Sequence, residues 1–331
     1  MSKRISSLAL CLCGIFVASN TFASCGSTAC SINTNWDEHS ASKPGWSVDL
    51  RYNYSKADQL RSGGSKITAN PTDPALAAGA EVENLRTINK IITAGIDYTH
   101  DDHWGMALSI PYISRDHSHS LADTNPALVG SDSFVANALG DIKAVGRYRW
   151  SLDGASGSSM GIKFGFKLNT GKSSFLLTSG TLPNEVTLQP GNGSTDLIAG
   201  VFWQQATPGS ALSWFAQGIA QSAVQNKAEF KPGDQLNLDG GARYAFTSNL
   251  SGLLQLNAQW NATDSGTSAA LTGAGTASSG GNSVSLTPGL SYAIIPGTNV
   301  YGLVQVPLSQ HVNGEQLTAN NSATVGINHR F

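Results

Sequence analysis

The chain has 331 residues, of which 20 are basic and 22 acidic, and charged residues make up 13% of it. Soluble domains carry about 25% charged residues, so this composition argues against a soluble enzyme. No apolar run after residue 23 approaches the roughly 20 residues of a transmembrane helix, and mean hydropathy is −0.12. Low charge together with 36 glycines is typical of a β-barrel with a lipid-facing outside and a polar inside.

The amino terminus predicts a secretory signal peptide over residues 1–23. Lys3 and Arg4 precede the apolar run 5–17, and a small-residue cleavage site ends at Ala23. Removal of this segment leaves 18 basic residues against 22 acidic ones. Nucleic acid is therefore not an expected partner.

Residues 24–45 form a predicted periplasmic segment that contains the pair Cys25 and Cys30. In an oxidising periplasm we expect this pair to form a small disulfide loop. Metal binding and thiol exchange remain alternatives, although the spacing matches no familiar zinc or haem pattern. A lipoprotein acylated on Cys25 is disfavoured, because Phe22 stands where a branched aliphatic residue is needed. The segment could also reach into the lumen as a plug.

Alternation of apolar and polar residues predicts that residues 46–331 form a transmembrane antiparallel up-and-down β-barrel, an all-β fold. Twelve strands are predicted, at 46–54, 86–99, 104–114, 139–150, 159–169, 194–204, 212–221, 235–246, 250–261, 283–293, 299–308 and 322–331. The even count and the alternation of short with long connections are typical of bacterial single-chain barrels, which keep both termini in the periplasm. The long connections are predicted at 55–85, 115–137, 170–193, 222–234, 262–282 and 309–321. The sequence thus indicates the outer membrane of a Gram-negative bacterium, with its lipid as a partner.

Phe331 ends a strand in which apolar or aromatic residues occupy every second position from Ala323 onward. Such a terminal aromatic residue is typical of the closing strand of an outer-membrane barrel, where it is part of the signal read by the insertion machinery. This strand must pair with residues 46–54 to leave no open sheet edge.

Five basic residues are predicted to form a ladder inside the lumen. They lie on the polar faces of two neighbouring strands, and are Lys143, Arg147, Arg149, Lys163 and Lys167. Antiparallel pairing places Lys143 near Lys167 and Arg147 near Lys163, which is unfavourable unless negative groups lie among them. One interpretation is an internal salt-bridge network that includes Asp141 and Asp196. The other is a permeation path that favours anions.

His117 and His119 are the weak candidates for a metal site. At i, i+2 on extended backbone they point the same way and could share a metal with Asp116 or Asp123. A solvated loop is the alternative interpretation. No spacing singles out a nucleophile with a base, so we expect no enzyme and no cofactor.

Several short segments together resemble a known family. They are Leu139-Gly140-Asp141-Ile142 with Arg147-Tyr148-Arg149, Leu168-Asn169-Thr170-Gly171, Pro190 to Asp196, Gln305-Val306-Pro307 and Val312 to Leu317. The chain in these segments resembles the outer-membrane transporter family associated with the meta-pathway of phenol degradation. The segment from Cys25 to Trp36, Arg86-Thr87-Ile88-Asn89 and Arg115 to His119 look like a branch found beside periplasmic redox and metal-handling genes. The resemblance implies a barrel that passes small molecules, hydrophobic ones among the candidates, and assigns no site residues.

The function predicted from the sequence is passive passage of a small hydrophobic or anionic solute through the barrel. The first alternative is a metal- or redox-linked protein that uses Cys25, Cys30 and the loop histidines. A structural or adhesive barrel and an enzyme at the rim are further alternatives.

Overall fold

The computed structural model describes residues 44–153, 157–175, 186–206, 208–227, 230–266 and 278–331. The strands are β1 (Gly45–Ser62), β2 (Ser65–Lys66), β3 (Glu81–Thr99), β4 (Trp104–Leu121), β5 (Gly130–Leu139), β6 (Lys143–Asp153), β7 (Ser158–Lys167), β8 (Thr195–Gln205), β9 (Leu212–Gln225), β10 (Gln235–Ala245), β11 (Leu250–Asn261), β12 (Gly281–Ile295), β13 (Thr298–Val312) and β14 (Glu315–Arg330). Neighbouring strands pair antiparallel, and β14 pairs with β1 to close the barrel. The two-residue β2 adds only a hairpin arm to β1. Since β5 and β6 follow one another along β4, the wall has twelve strand positions, which confirms the predicted barrel.

The predicted signal peptide 1–23 and the pair Cys25 and Cys30 lie outside the described residues. The predicted periplasmic segment 24–45 is described only from residue 44. These assignments therefore remain predictions. Among the described residues, no helix is long and apolar enough to span a membrane.

The strands form because each presents an apolar face to lipid and a polar face to the lumen. In β1, Trp46 and Leu50 are each 52% exposed on the outside. Between them Asp49 faces inward, where its Oδ1 accepts a hydrogen bond of 2.9 Å from Arg51 Nη1. Exposed apolar side chains on one face and paired charges on the other suit a wall between lipid and a polar interior.

The short turns and both ends of the described chain lie at one end of the barrel, which is the periplasmic end in this fold. The short connection between the strands predicted at 86–99 and 104–114 is a tight turn between β3 and β4. Asp101 organises it, because its Oδ1 accepts the backbone N–H groups of His103 at 2.8 Å and Trp104 at 2.7 Å. Both hydrogen bonds lower the pKa of the Asp101 carboxyl, and the bond from Trp104 has the larger effect.

The strands extend farther at the outer end than the sequence predicted. Residues 115–121, predicted as loop, belong to β4, and most of the predicted loop 309–321 belongs to β13 and β14. Asn313 and Gly314 connect these last two strands, whose pairing with each other ends at Gln305 opposite Ser322, and Gly314 has φ +63°. The outer halves of the strands carry polar residues on both faces, so the hydrophobic alternation ends although the hydrogen-bonded ladder continues.

The closing seam joins the two ends of the barrel sequence, as predicted. Register runs from Ser47 opposite Arg330 to Ser62 opposite Glu315. The backbone N–H of Phe331 donates to the carbonyl of Trp46 at 2.9 Å, which extends this ladder by one residue. From β13, Tyr301 lies across Gly326 of β14 and donates a hydrogen bond of 2.7 Å to Asp49 on β1. One side chain therefore links three strands across the seam.

Candidate functional site: the lumen of the barrel

The five residues of the basic ladder face the lumen on β6 and β7. Lys143 lies opposite Lys167, and Arg147 lies opposite Lys163. Arg149 lies nearest the periplasmic turn, where its Nε donates to the carbonyl of Asp102 at 2.9 Å. Lys163, Lys167 and Arg147 are buried, whereas the side chain of Lys143 is exposed in the lumen. The ladder residues therefore differ in how accessible their charges are to a solute in the lumen.

Arg147 is held by an acidic partner two strands away. Its guanidinium lies over Gly105 of β4 and donates two hydrogen bonds to the carboxylate of Asp97 on β3. Arg147 Nη2 also donates to the hydroxyl of Thr99 at 2.6 Å. A Cβ atom at Gly105 would overlap this guanidinium. The small residue is what allows the charge pair to bridge β4.

Lys163 begins a chain of hydrogen bonds that runs around the lumen wall. Its Nζ donates to Gln217 Oε1 at 2.8 Å, and Gln217 Nε2 donates to Asp239 Oδ2 at 2.8 Å. Asp239 also accepts from Asn257 Nδ2 at 2.5 Å, and Asn257 Oδ1 accepts from Thr287 at 2.6 Å. The chain connects β7 with β9, β10, β11 and β12. The charge of Lys163 is thus matched by a buried carboxylate through one amide.

Lys167 is the centre of a highly connected polar cluster in the lumen. Its Nζ lies 3.0 Å from Asp141 Oδ2 and 3.4 Å from Asp196 Oδ1. It also donates to Asn192 Oδ1 at 2.6 Å and to the hydroxyl of Ser194 at 3.0 Å. The side chains of Lys167, Asp141 and Asp196 are 6%, 9% and 4% exposed. We call these five residues the Lys167 cluster.

The Lys167 cluster links to the exposed end of the ladder. Gln221 Nε2 donates to Asp196 Oδ2 at 2.6 Å, and Gln221 Oε1 accepts from Lys143 Nζ at 3.2 Å. Asp141 and Asp196, expected as partners in the salt-bridge interpretation, both lie at Lys167. Like charges on adjacent strands are thereby separated by carboxylates and amides.

The Lys167 cluster lies where the barrel wall is interrupted. β5 pairs with the outer half of β4 and β6 with the inner half, and Asp141 lies between β5 and β6. The carboxylate of Asp141 accepts backbone N–H groups from Thr170 at 3.2 Å and Gly171 at 2.9 Å. Gly171 and Gly191 approach so closely that neither has room for a Cβ atom. Three of the segments that carried the family resemblance, 139–142, 168–171 and 190–196, therefore meet at this one place.

His117 and His119 form a buried pair rather than part of a solvated loop, so the loop interpretation is wrong. Both face the lumen from β4 and are 1% and 2% exposed. His117 Nε2 lies 3.1 Å from His119 Nδ1, and His117 Nδ1 lies 2.9 Å from the hydroxyl of Thr87 on β3. No group of three or more His, Cys, Asp or Glu residues in the described parts of the chain could hold a metal ion.

The acidic residues considered as partners for these histidines are engaged elsewhere. Asp116 lies 3.4 Å from Arg86 in an exposed pair. Asp123 accepts a hydrogen bond from the backbone N–H of Asn125 in the connection after β4. The structure therefore does not bring these two carboxylates to the histidine pair.

Two apolar clusters inside the barrel were missed by the sequence analysis. At the outer end, buried residues from β1, β5, β14 and the connection before β8 pack together, namely Ala57, Leu60, Phe134, Ala136, Leu188 and Leu317. In the periplasmic half, Phe215, Leu253, Tyr301 and Leu303 form a second cluster. The available signal was a pair of adjacent apolar residues inside a strand, as in Trp214-Phe215 and Leu253-Leu254. Adjacent residues point to opposite faces, so one of each pair must face inward.

A hydrogen bond links the connection between β11 and β12 to the connection before β10. Asp264 Oδ1 accepts the backbone N–H of Gly233 at 2.8 Å, and the N–H of Asp264 donates to the hydroxyl of Ser279 at 2.7 Å. Burial raises the pKa of the Asp264 carboxyl, although hydrogen bonds to this carboxyl from the backbone of Gly233 and the side chain of Ser279 act in the opposite direction. These contacts fix the outer rim of the lumen.

Comparison with solved structures places the fold among outer-membrane barrels. The COG4313 outer membrane channel from Pseudomonas putida F1 is similar over 87% of this chain and 96% of its own, with TM-score 0.62 and 11% identity. The NanC porin (TM-score 0.46, 10% identity, 86% and 100% covered) and a Pseudomonas aeruginosa FadL homologue (0.42, 10%, 87% and 90%) are more distant. No family model and no curated protein matches the chain. The fold thus agrees with the sequence analysis, and the closed wall with its exposed apolar outside suits the outer-membrane location expected there.

Proposed function

We propose that this protein is a passive outer-membrane channel for small solutes that have both apolar and polar parts. The observation that carries this proposal is the layering of the lumen inside a closed wall. An apolar cluster lies at the outer end, hydrogen-bonded charges and amides occupy the middle, and a second apolar cluster lies in the periplasmic half. A solute crossing this lumen meets apolar and polar surfaces in turn.

The arrangement of charge supports a solute that need not be an anion. Of the ladder, Lys163, Lys167 and Arg147 are buried, and each is bonded to a carboxylate or to an amide that bonds to one. Lys143 alone of the five combines an exposed side chain with a place in the middle of the lumen. The association with phenol degradation is supported only by the sequence resemblance, and a hydrophobic solute is in keeping with both apolar clusters.

The proposal is tested by reconstituting the full-length protein into liposomes and planar bilayers. We expect stepwise conductance together with faster equilibration of small neutral solutes than in empty liposomes. Folded protein that shows neither conductance nor solute flux would contradict the proposal.

Reversal of the charge at Lys143 should shift ion selectivity toward cations. Lys143→Glu places a carboxylate at the exposed end of the ladder, and charged side chains lining a pore select ions of opposite sign. We expect the cation-to-anion permeability ratio to rise by about threefold or more, measured as a change in reversal potential under a salt gradient. Lys66→Glu, in the exposed hairpin arm β2, is the matched control. An equal shift in both variants, or in neither, would show that Lys143 does not face the ion path.

Deletion of Phe331 should impair insertion before it affects transport. Phe331 is 74% exposed and contributes its backbone N–H to the seam with Trp46, so its side chain is available to the insertion machinery. We expect several-fold less folded barrel in outer membranes, measured as the heat-modifiable band on gels. The deletion variant should refold in detergent like the parent protein, because only one ladder hydrogen bond is lost. Normal assembly in cells would contradict this role.

A further inference from the structure

A cavity of about 50 Å³ lies inside the outer part of the barrel, with room for roughly four water molecules. It is bounded by β1, β3 and β11 to β14, so it lies on one side of the lumen. The cavity lies beside the outer apolar cluster, since Ala57 and Leu317 belong to both. It is therefore a candidate binding site for a solute within the lumen.

The side chains around this cavity are polar but almost entirely uncharged. Asn89, Gln259, Gln310 and Gln316 supply amides, and no Asp, Glu, Lys or Arg is among the described residues that line it. His311 is the titratable residue in this set. An ion leaving water for this cavity would contact no side chain of opposite charge in the lining, which is costly, whereas a neutral polar group finds hydrogen-bonding partners.

The orientation of the amides further defines the solute. Gln316 Nε2 donates to the carbonyls of Gly280 at 2.7 Å and Asn313 at 2.9 Å. Gln310 Nε2 donates to the carbonyl of Ala319 at 3.0 Å. Because the N–H groups of both amides point to backbone carbonyls, their Oε1 atoms remain as acceptors. A solute that donates a hydrogen bond fits them best.

Asn89 supplies the complementary group. Its Oδ1 accepts a hydrogen bond of 2.6 Å from Arg115 Nε, so the amide presents its NH₂ group on the other side. A hydroxyl both donates and accepts, and can therefore use a Gln oxygen and the Asn89 nitrogen. Apolar contact for the rest of the molecule is available from Ala57 and Leu317.

We propose that this cavity binds uncharged alcohols with an apolar body. The inference rests on the proposed channel function, because the cavity is part of the lumen. It narrows the solute class from molecules with apolar and polar parts to those that are also neutral and donate a hydrogen bond. Three probes of similar size separate these classes, namely benzyl alcohol, benzyl methyl ether and benzoate. The ether accepts a hydrogen bond but cannot donate one, and benzoate is an anion.

Binding is measured by equilibrium dialysis of the full-length protein in lipid nanodiscs, with empty nanodiscs subtracted. We expect saturable binding of benzyl alcohol, roughly fivefold weaker binding of the ether, which loses one neutral hydrogen bond, and no saturable binding of benzoate. Gln310→Leu and, separately, Gln259→Leu should weaken benzyl alcohol binding by about the same factor. Gln225→Leu is the control, since Gln225 is exposed at the end of β9 and outside the cavity.

Several outcomes would overturn the inference. Benzoate or the ether binding as tightly as benzyl alcohol would do so, as would unchanged affinity in both Leu variants. Because binding is measured apart from flux, the two proposals fail separately. Saturable binding without flux through liposomes would contradict only the channel, and flux of benzyl alcohol without saturable binding would contradict only this site.

Discussion

Replacement of Lys167 by methionine should destabilise the barrel by about 3–5 kcal/mol. The substitution keeps most of the side-chain volume but leaves Asp141 and Asp196, which are 9% and 4% exposed, without their shared cation. Removing one partner of a buried charge pair carries a cost of this order. The free energy of unfolding can be measured by guanidinium titration in lipid vesicles, with the fluorescence of the seven tryptophans as the signal.

The control for this prediction is the same substitution at a surface pair. Lys56 contacts Asp58 at 2.7 Å, with the two side chains 46% and 33% exposed, and exposed pairs contribute about 0–1 kcal/mol. Adding Asp196→Asn to Lys167→Met should recover part of the lost stability by removing one unpaired charge. If Lys167→Met and Lys56→Met unfold at the same denaturant concentration, the Lys167 cluster does not stabilise the wall.

Substitution of Gly105 by valine should separate Arg147 from Asp97. The new side chain occupies the place where the guanidinium crosses β4, so the pair that bridges β3 and β6 can no longer form. Loss of hydrogen bonds between charged groups costs about 1.5–3 kcal/mol, and a similar decrease in the free energy of unfolding is expected. The same titration in vesicles measures it.

Gly302 provides the comparison, because it also lies within a strand but has no atom closer than 3.9 Å to where its Cβ would be. Gly302→Val should be neutral or slightly stabilising, since valine favours extended backbone. In the presence of Asp97→Asn, the cost of Gly105→Val should fall, because the pair is already broken. Additive costs in the double variant would mean that Gly105 acts through packing and not through Arg147.

The barrel and the register of the ladder could be predicted because both depend on a period of two. Once β6 and β7 are recognised as a hairpin, antiparallel pairing leaves one register in which both polar faces point inward. The opposition of Lys143 to Lys167 follows directly. The period of two does not identify the charge partners of these residues as readily, because Asp97 reaches Arg147 across an intervening strand.

The outer half of the barrel was predicted poorly for a physical reason. There the wall rises beyond the membrane, so neither face needs to be apolar and the alternation disappears. For this reason the sequence pattern predicts a loop at His117 and His119, although hydrogen bonding continues through them to Leu121.

The interruption between β5 and β6 could not be predicted from any one segment of the sequence. The sequence predicted a single strand over 139–150, whereas the structure has β5 ending at Leu139 and β6 beginning at Lys143. The Gly140-Asp141-Ile142 connection is stabilised by residues 168–171 and 190–196, which are distant in sequence. None of these short sequence motifs indicates a chemical function by itself. Their contacts with one another give them a structural role.

The seam between β1 and β14 determines how the barrel can assemble. Each of the other wall contacts joins strands that are consecutive or, as for β1 with β3 and β4 with β6, separated by one strand, and such local pairs form at a small entropic cost. Only the seam brings the two ends of the barrel together, so we expect it to form last. Tyr301, already anchored in the β13–β14 hairpin, reaches across to Asp49 only when β1 arrives. Its hydrogen bond would then report completion of the ring, which makes this tyrosine a natural position for a spectroscopic probe of folding.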